Sequence, residues 1–501
     1  MWIIKIRQHQ ASKLVLPVLV ALIFILLVLL FFPFRDRFQF DGDEGINLMK
    51  AMLMIRGYAL YNPIWSDQPP LLTYLLVLVF QGFGIGVNLA RLTVLFLSAT
   101  LLWACFRFLQ MVWGTIHAVV GTLLIILLPF YMILSVSVMV GLPSIALAML
   151  SLVAVTAWHL NRRYIWIILS AIAFAGSVFI KLFTGFLGPI IVLGILLDEF
   201  SRSRGRLNIF NLIRPGVLWI GVLSIIALTV VLFVMGTGNL NQLYESHSLA
   251  VDVFQREIFT INHHLQDSMT VLFLSLFGIL FTILAKRWLN LYLILWMVTA
   301  YVALWRHSPV WYHHQLLITI PAAMLGGIAA GETVRWMPQV ICKFEYINIR
   351  TVVSLLTLGA FSLVLFDQIP DIFPKFERGA NRSGSPLRAS SLLEDAYLYV
   401  QEYAPETQWM ITDMPMFAFR FNIPIPPNLV VLSAKRLKTN LLTESELLDT
   451  IQDYDPEQVL LREKVPAVET YLDRNYQLVY TRRDLDLYIR NDVYLKHKSG
   501  N

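Results

Sequence analysis

Apolar residues occupy the first 367 positions in blocks longer than a soluble element needs. Leu14 to Phe34 is almost wholly apolar, and ten further runs follow at 88–108, 116–134, 143–160, 164–181, 184–198, 213–235, 269–285, 289–304, 315–331 and 351–367. A helix of about 20 apolar residues crosses the roughly 30 Å hydrocarbon core of a bilayer. The pattern therefore predicts a polytopic α-helical membrane protein of about 11 spans, and 13 would keep the same parity.

Between the first two runs lies a long loop, 35–87. Within it Ile46 to Arg56 has helical spacing, with Ile46, Met49, Leu53 and Met54 on one side, and Gly57-Tyr58 ends the helix. Tyr61 to Pro70 is rich in turn residues and aromatics suited to the headgroup zone. Leu71 to Phe80 is apolar but too short to cross, so an interfacial or re-entrant helix is expected there. Further on, Lys181, Gly185, Gly188 and Pro189 interrupt two short segments, which predicts a broken hairpin.

From about Phe366 the pattern changes. A linker is expected over 368–390, punctuated by Ile369-Pro370 and by Arg378 to Pro386. Beyond it, helix-like Leu392 to Glu402 precedes strand-like Gln408 to Thr412 and Leu429 to Leu432. Thr443-Glu444-Ser445-Glu446 is the start of a capped helix. Val459 to Leu461, a helix near Ala467 to Asn475, Gln477 to Tyr480 and Asp486 to Ile489 complete an alternation that predicts a small α/β domain over 391–501.

Composition agrees with the hydropathy. At 57% hydrophobic, 14% charged and a mean hydropathy of +0.65, the chain is no ordinary soluble globule. The net charge of +6 does not point to nucleic acid, because the Lys and Arg residues fall between apolar runs. They concentrate in Met1 to Lys13, Asn161-Arg162-Arg163, Ser201-Arg202-Ser203-Arg204-Gly205-Arg206 through Arg214, Lys286-Arg287, and Arg335 through Lys343 to Arg350. By the positive-inside rule these segments and the N-terminus are cytoplasmic, which puts loop 35–87 and the C-terminal domain outside a plasma (inner) membrane. A signal peptide is the rival for the first run, but the run is long and no small-x-small cleavage site follows it. Of the two cysteines, Cys105 lies in an apolar run and Cys342 in a basic loop, so no disulfide frame or thiolate metal site is expected.

The candidate chemistry begins at Phe40-Asp41-Gly42-Asp43-Glu44-Gly45, just beyond the first run. Carboxylates are costly in a bilayer, so this cluster is either a solvated helix cap at Asp41 or Asp43, or a site at the membrane surface. In the second case an acid there is a general base for a lipid-borne substrate. Lys181 is either a snorkelling lysine or a phosphate contact, and Arg91 near the outer end of the second run has the same two readings. Arg306 and His307 share the Trp305 to His314 loop with Tyr312 and His313. The pairs His263-His264 and His313-His314 are adjacent, whereas ligand spacings are three or four residues, so no metal is predicted. No phosphate-binding Gly loop is present, so no nucleotide cofactor is expected. On the residues alone an enzyme, a transporter or flippase of a lipid-linked or polar solute, and a non-catalytic assembly protein stay open. No internal repeat is visible and the polar candidates cluster near external ends, which favours the enzyme.

These residues also carry a resemblance. Asp43-Glu44, Gly57-Tyr58, Gln68-Pro69-Pro70, Phe83-Gly84, Ala90-Arg91-Leu92, Gly176 to Lys181 and Tyr312 to Pro321 occur in the order found in GT-C membrane glycosyltransferases. Over roughly its first 330 residues the chain is similar to the bacterial relatives of protein O-mannosyltransferases and of the aminoarabinose transferases that modify lipid A. The resemblance implies a GT-C fold, a sugar donor on a polyprenyl phosphate, a lipid, glycan or protein acceptor, and inverting displacement. It makes Asp43 the base and Glu44 its support, with Lys181, Arg91 and Arg306 as phosphate candidates and Gln68, Tyr312 and His313 as further substrate contacts. Two departures stand out. Gln68 occupies the place of the usual Lys, and Met139 to Pro143, with Gly141, lacks the second acid that many members have. The C-terminal domain resembles the extracytoplasmic tail of some bacterial GT-C proteins through Thr412-Asp413-Met414-Pro415 and Pro426-Pro427.

Overall fold

The computed structural model describes residues 2–202, 209–248, 260–342, 349–380 and 391–500. The first half contains α1 (Trp2–Phe31), α2 (Gly42–Ile55), α3 (Leu71–Phe83), α4 (Val87–Val112), α5 (Thr115–Leu127), α6 (Tyr131–Leu134), α7 (Gly141–Asn161) and α8 (Ile165–Ile180). Then come α9 (Leu187–Arg202), α10 (Ile209–Val230), α11 (Leu240–Ser248), α12 (Ile261–Leu265), α13 (Met269–Leu284), α14 (Leu291–Trp305), α15 (Leu316–Cys342) and α16 (Ile349–Ala380). The apolar runs of the sequence fall on these helices, but 116–134, expected as one span, is divided between α5 and α6, with Phe130 left-handed (φ 65) at the break. Among the described residues eight helices are long and apolar enough to cross a membrane, and Val15–Phe31, Leu71–Phe83, Thr115–Leu127 and Ile165–Ile180 are shorter apolar ones.

The bundle has a clear centre. The apolar stretch of Tyr312–Trp336 is 94% buried, whereas that of Ile209–Met235 is 6% buried, so α15 forms the core and α10 a face left to lipid. Small residues let helices approach α15 closely: a Cβ on Gly327 would lie 2.3 Å from the Gly121 Cα of α5. Where α8 stops at Lys181, hydroxyls replace the missing helical bonds. Ser144 Oγ donates to Ser177 O (2.9 Å), Ser177 Oγ to Thr184 Oγ1 (2.7 Å), and Thr184 Oγ1 to Lys181 O (3.0 Å).

Two readings of the sequence change here. Cys342, assigned to a basic loop, ends α15, and α16 runs on to Ala380, past the Ile369-Pro370 position where a linker was expected. Residues 381–390 of that linker, with its Arg378 to Pro386 punctuation ending there, and the basic stretches 203–208 and 343–348 lie outside the described residues.

The C-terminal unit holds α17 (Ser391–Tyr403), β1 (Met410–Thr412), α18 (Met416–Arg420), α19 (Ala434–Lys438), α20 (Glu444–Tyr454), β2 (Gln458–Leu461), α21 (Pro466–Asn475), β3 (Tyr476–Arg482), β4 (Leu485–Arg490) and α22 (Asn491–Gly500). Its sheet has the order β1-β2-β4-β3, with β1 parallel to β2 and the other pairs antiparallel. Ile411 faces Val459, and Val459 faces Tyr488. The capping box before α20 forms: Thr443 Oγ1 accepts from Glu446 N (3.2 Å) and Thr443 N donates to Glu446 Oε2 (2.8 Å).

Leu429 to Leu432, expected as a strand, is a 3-10 turn (Pro427–Leu429) running into a buried loop. Pro426 and Pro427 cannot donate to a ladder, and Arg436 donates to Asn428 O (2.8 Å) and Val431 O (3.1 Å) instead. This loop reaches the functional site.

The unit is packed onto the first loop in one shared apolar core. Arg420 Nη2 donates to Arg37 O (2.7 Å) and Phe38 O (2.8 Å), Trp65 N donates to Pro427 O (3.2 Å), and the Phe38 and Phe417 rings lie 4.6 Å apart. α2 is therefore enclosed on more sides than the Ile46, Met49, Leu53, Met54 spacing implied: Leu48, Ala51 and Met52 are also buried. Gly45 is the tightest point, since a Cβ there would lie 2.5 Å from Met416 N. Gly45→Val is expected to destabilise the chain by about 1–3 kcal/mol. Melting in detergent should fall and the C-terminal unit should become easier to cleave, whereas Gly42→Ala, where a Cβ meets open space, should melt as the parent does.

Candidate active site

Asp41 caps α2 in extended backbone (φ −148), its side chain accepting from Asp43 N at 3.0 Å. The residues that follow at helical spacing, Asp43, Ile46, Asn47 and Lys50, form one stripe. That stripe lines a cavity of about 330 Å³.

Glu44 points away from it. Its carboxylate takes Arg91 Nε on Oε1 and Arg91 Nη2 on Oε2, both at 2.8 Å, and accepts from Phe40 N (3.1 Å) and Val138 N (3.4 Å). Arg91 also donates to Phe34 O (2.6 Å) and Arg37 O (2.9 Å), and lies over the Phe40 ring. Both side chains are 0% exposed. A buried pair with this many hydrogen bonds is a clamp, joining the exit of α1, the start of α2, α4 and the Val138 loop. Asn47 adds a second tie, donating to Val138 O at 2.9 Å.

Four other segments close the cavity. The turn before α3 supplies Asp67 and Gln68. The break after α8 supplies Lys181, whose ammonium has no hydrogen-bond or ion-pair partner within contact among the described residues and sits 5.5 Å from the Phe183 ring. The segment from α14 to α15 supplies Tyr312, which donates to Asp41 Oδ2 at 2.9 Å, with His307, His313 and His314. Finally the C-terminal unit supplies Ser433, at the end of its buried loop, and Lys435 in α19, and Lys435 Nζ lies 3.7 Å from Asp67 Oδ2.

The Asp43 side chain is exposed to the cavity, which it shares with the Asp41 and Asp67 carboxylates and with Lys50 and Lys181. Desolvation, and then the neighbouring carboxylates Asp41 and Asp67, push its pKa up to about 7 against the pull of Lys181 and Lys50. Lys50, buried on the same stripe and donating to Ser66 Oγ at 3.0 Å, is shifted down by desolvation. The arrangement offers a proton acceptor that titrates near neutral pH, facing an ammonium that can meet an anion.

Of the residues singled out in the sequence, Asp43, Gln68, Lys181, Tyr312 and His313 line the cavity together. Glu44 and Arg91 do not, being consumed by their own ion pair, and Arg306 is exposed at the end of α14 while its neighbour His307 turns inward. Sequence reasoning missed Asp67, Lys50 and Lys435. Lys50 had a signal, seven residues after Asp43 on one helix face. Asp67 stands beside the Gln68-Pro69-Pro70 turn and brings a second acid to a cavity where Gly141 offers none. Lys435 had no signal, since only tertiary folding carries it there. Among the described residues no group of three or more His, Cys, Asp or Glu could hold a metal ion.

No family model matches the chain, and no curated protein sequence does. Solved structures do match. ArnT from Cupriavidus metallidurans bound to undecaprenyl phosphate superposes over 95% of this chain and 97% of its own, with a TM-score of 0.59 at 13% identity. Its apo state gives the same TM-score at 14% identity over 96% and 98%. The oligosaccharyltransferase AglB from Archaeoglobus fulgidus, in complex with an inhibitory peptide and a dolichol-phosphate, covers 96% of this chain and 74% of its own, with a TM-score of 0.51 at 12% identity. The chain has the GT-C fold. At such identities the likeness is one of fold alone, and it extends past the motif-bearing first 330 residues into the C-terminal unit. As a GT-C membrane protein the chain is multi-pass, and its acid-lined cavity lies where α2 and three other loops of the bundle meet.

Proposed function

We propose that this GT-C protein transfers a glycosyl unit from a polyprenyl-phosphate sugar to a lipid, glycan or protein acceptor. The observation that carries the reading is the shared cavity of Asp43 and Lys181, a near-neutral base and an ammonium that has no hydrogen-bond or ion-pair partner among the described residues. Two structures of similar fold were solved with a polyprenyl phosphate or a dolichol-phosphate, which supports this carrier class.

The acceptor hydroxyl attacks the anomeric carbon from the face opposite the lipid phosphate. As the new C–O bond forms, the bond from that carbon to the phosphate oxygen breaks, and the electron pair leaves with the lipid phosphate. The hydroxyl proton passes to a carboxylate oxygen of Asp43. Back-side displacement inverts the anomeric centre. Charge grows on the departing phosphate, and Lys181 is the cation placed to receive it. Asp67 and Lys435 pair across the rim and hold the C-terminal loop over the acceptor side. The distribution of basic loops supports a reading in which this cavity lies at the outer face of the plasma membrane, with the N-terminus cytoplasmic and the C-terminal unit extracytoplasmic.

The test begins with mass spectrometry of lipids, glycans and surface proteins from cells with and without the chain, to find the missing sugar. Purified protein in nanodiscs should then release polyprenyl phosphate from the matching donor and give product of inverted configuration. Retained configuration would refute the mechanism, and solute uptake into proteoliposomes with no lipid-linked sugar present would refute the reading. The pH profile is a second check. A carboxyl raised to about 7 is protonated below that value and free to act as base above it, so kcat should climb as pH rises through about 7.

A further inference from the structure

At the other end of the bundle a second cavity, of about 530 Å³, opens between α7, α9 and α14. The same helices link the two. Val140, beside the start of α7, lines the first cavity and His159, near its end, lines the second; 21 helical residues separate the ends by about 30 Å. In α14 the order is reversed, with Tyr292 in the second cavity and His307, just past the helix, in the first.

The floor is polar, and its charged groups pair among themselves. His159, 4% exposed, lies 2.8 Å through Nε2 from the Tyr292 hydroxyl and 3.2 Å through Nδ1 from Asp198 Oδ2. Asp198 also pairs with Arg162 (2.7 Å) and Arg202 (3.1 Å), so the cations of α7 and α9 are neutralised locally. The walls are apolar, including Leu193, Leu197 and Leu295. At the mouth stand Lys286 and Arg287, both exposed and without an ion pair among the described residues, followed by Trp288, 65% exposed. Two cations without an ion pair among the described residues, Arg287 lying 5.8 Å from the Trp113 ring centroid, stand above an apolar wall and beside an exposed Trp, and match the head and chain of an anionic amphiphile at headgroup level.

We propose that this second cavity binds one anionic phospholipid, its phosphate at Lys286 and Arg287 and an acyl chain along Leu193, Leu197 and Leu295. A free anion would leave the apolar wall unused, and a zwitterionic lipid would bring its own cation against two others. The site stands apart from the transfer reaction and does not depend on it.

Native mass spectrometry of the full chain, titrated with phosphatidylglycerol or phosphatidylcholine, tests this. The parent chain should prefer phosphatidylglycerol by roughly tenfold or more. Lys286→Gln with Arg287→Gln should abolish the preference, and Leu193→Trp should weaken phosphatidylglycerol binding with both cations in place. Arg163→Ala removes an exposed cation that does not line the cavity, and should leave the preference intact. Equal retention of both lipids by the parent chain, or an equal loss in Arg163→Ala, would overturn the proposal. So would displacement of the lipid by millimolar inorganic phosphate, which would mark a plain anion site.

Discussion

Replacing Asp43 by Asn is expected to lower sugar transfer by about a hundredfold to ten-thousandfold, the range a positioned general base supplies. The change keeps size and shape but removes the atom that takes the proton. Folding should be untouched, because among the described residues only the backbone of Asp43 is hydrogen-bonded, to the Asp41 side chain. Single-turnover rates measured beside melting temperature read the two effects separately; a full rate with the parent melting curve would remove Asp43 from the mechanism. Asp41→Asn gives a finer test. The single Asn oxygen keeps the cap on Asp43 N, the Tyr312 hydroxyl can accept from the Asn NH2, and one charge that raises Asp43 is gone. The rising limb of the pH profile should move to lower pH while the plateau rate stays close to that of the parent.

The largest loss of stability should follow Arg91→Ala, at about 3–5 kcal/mol. Removing the guanidinium leaves Glu44 buried without its ion-pair partner and frees the Phe34 carbonyl. Replacing both partners, as in Arg91→Met with Glu44→Leu, removes the stranded charge and should recover part of the loss. Apparent melting of the purified chain in one detergent measures both variants. The cycle also separates roles. If Glu44 acted directly in transfer, Glu44→Gln would lower the rate per folded molecule and spare melting; as a clamp it should do the reverse.

The departures from the GT-C motif pattern acquire a structural answer. Gly141 carries no acid, but Asp67 and Asp41 share the cavity with Asp43. Gln68 carries no charge, but Lys50, Lys181 and Lys435 are all at the cavity wall. The cavity is lined by the carboxylates of Asp41, Asp43 and Asp67 and by Lys50, Lys181 and Lys435, several of them outside the motif positions. Arg91 shows the opposite case. It matches the motif in sequence and is spent in the scaffold.

Local physics explains what could be read without coordinates. Hydropathy located the long apolar helices because burial of some 20 consecutive apolar residues depends on little beyond that segment. The helix after Asp41, the break at Lys181 and the capped start at Thr443 were legible for the same reason, since caps and breaks are set within a few residues. The partner of each charge is a different matter. Glu44 meets Arg91 and Asp67 meets Lys435 only after the chain has closed loops of tens to hundreds of residues. Periodicity holds no record of such closures. Leu429 to Leu432 illustrates the limit: its apolar run suits a strand, yet two prolines and Arg436 make it a loop, and packing against α2 brings that loop to the cavity. Burial class and helix position belong to the one-dimensional pattern; whether a buried charge serves as clamp or as reagent depends on which distant group it meets.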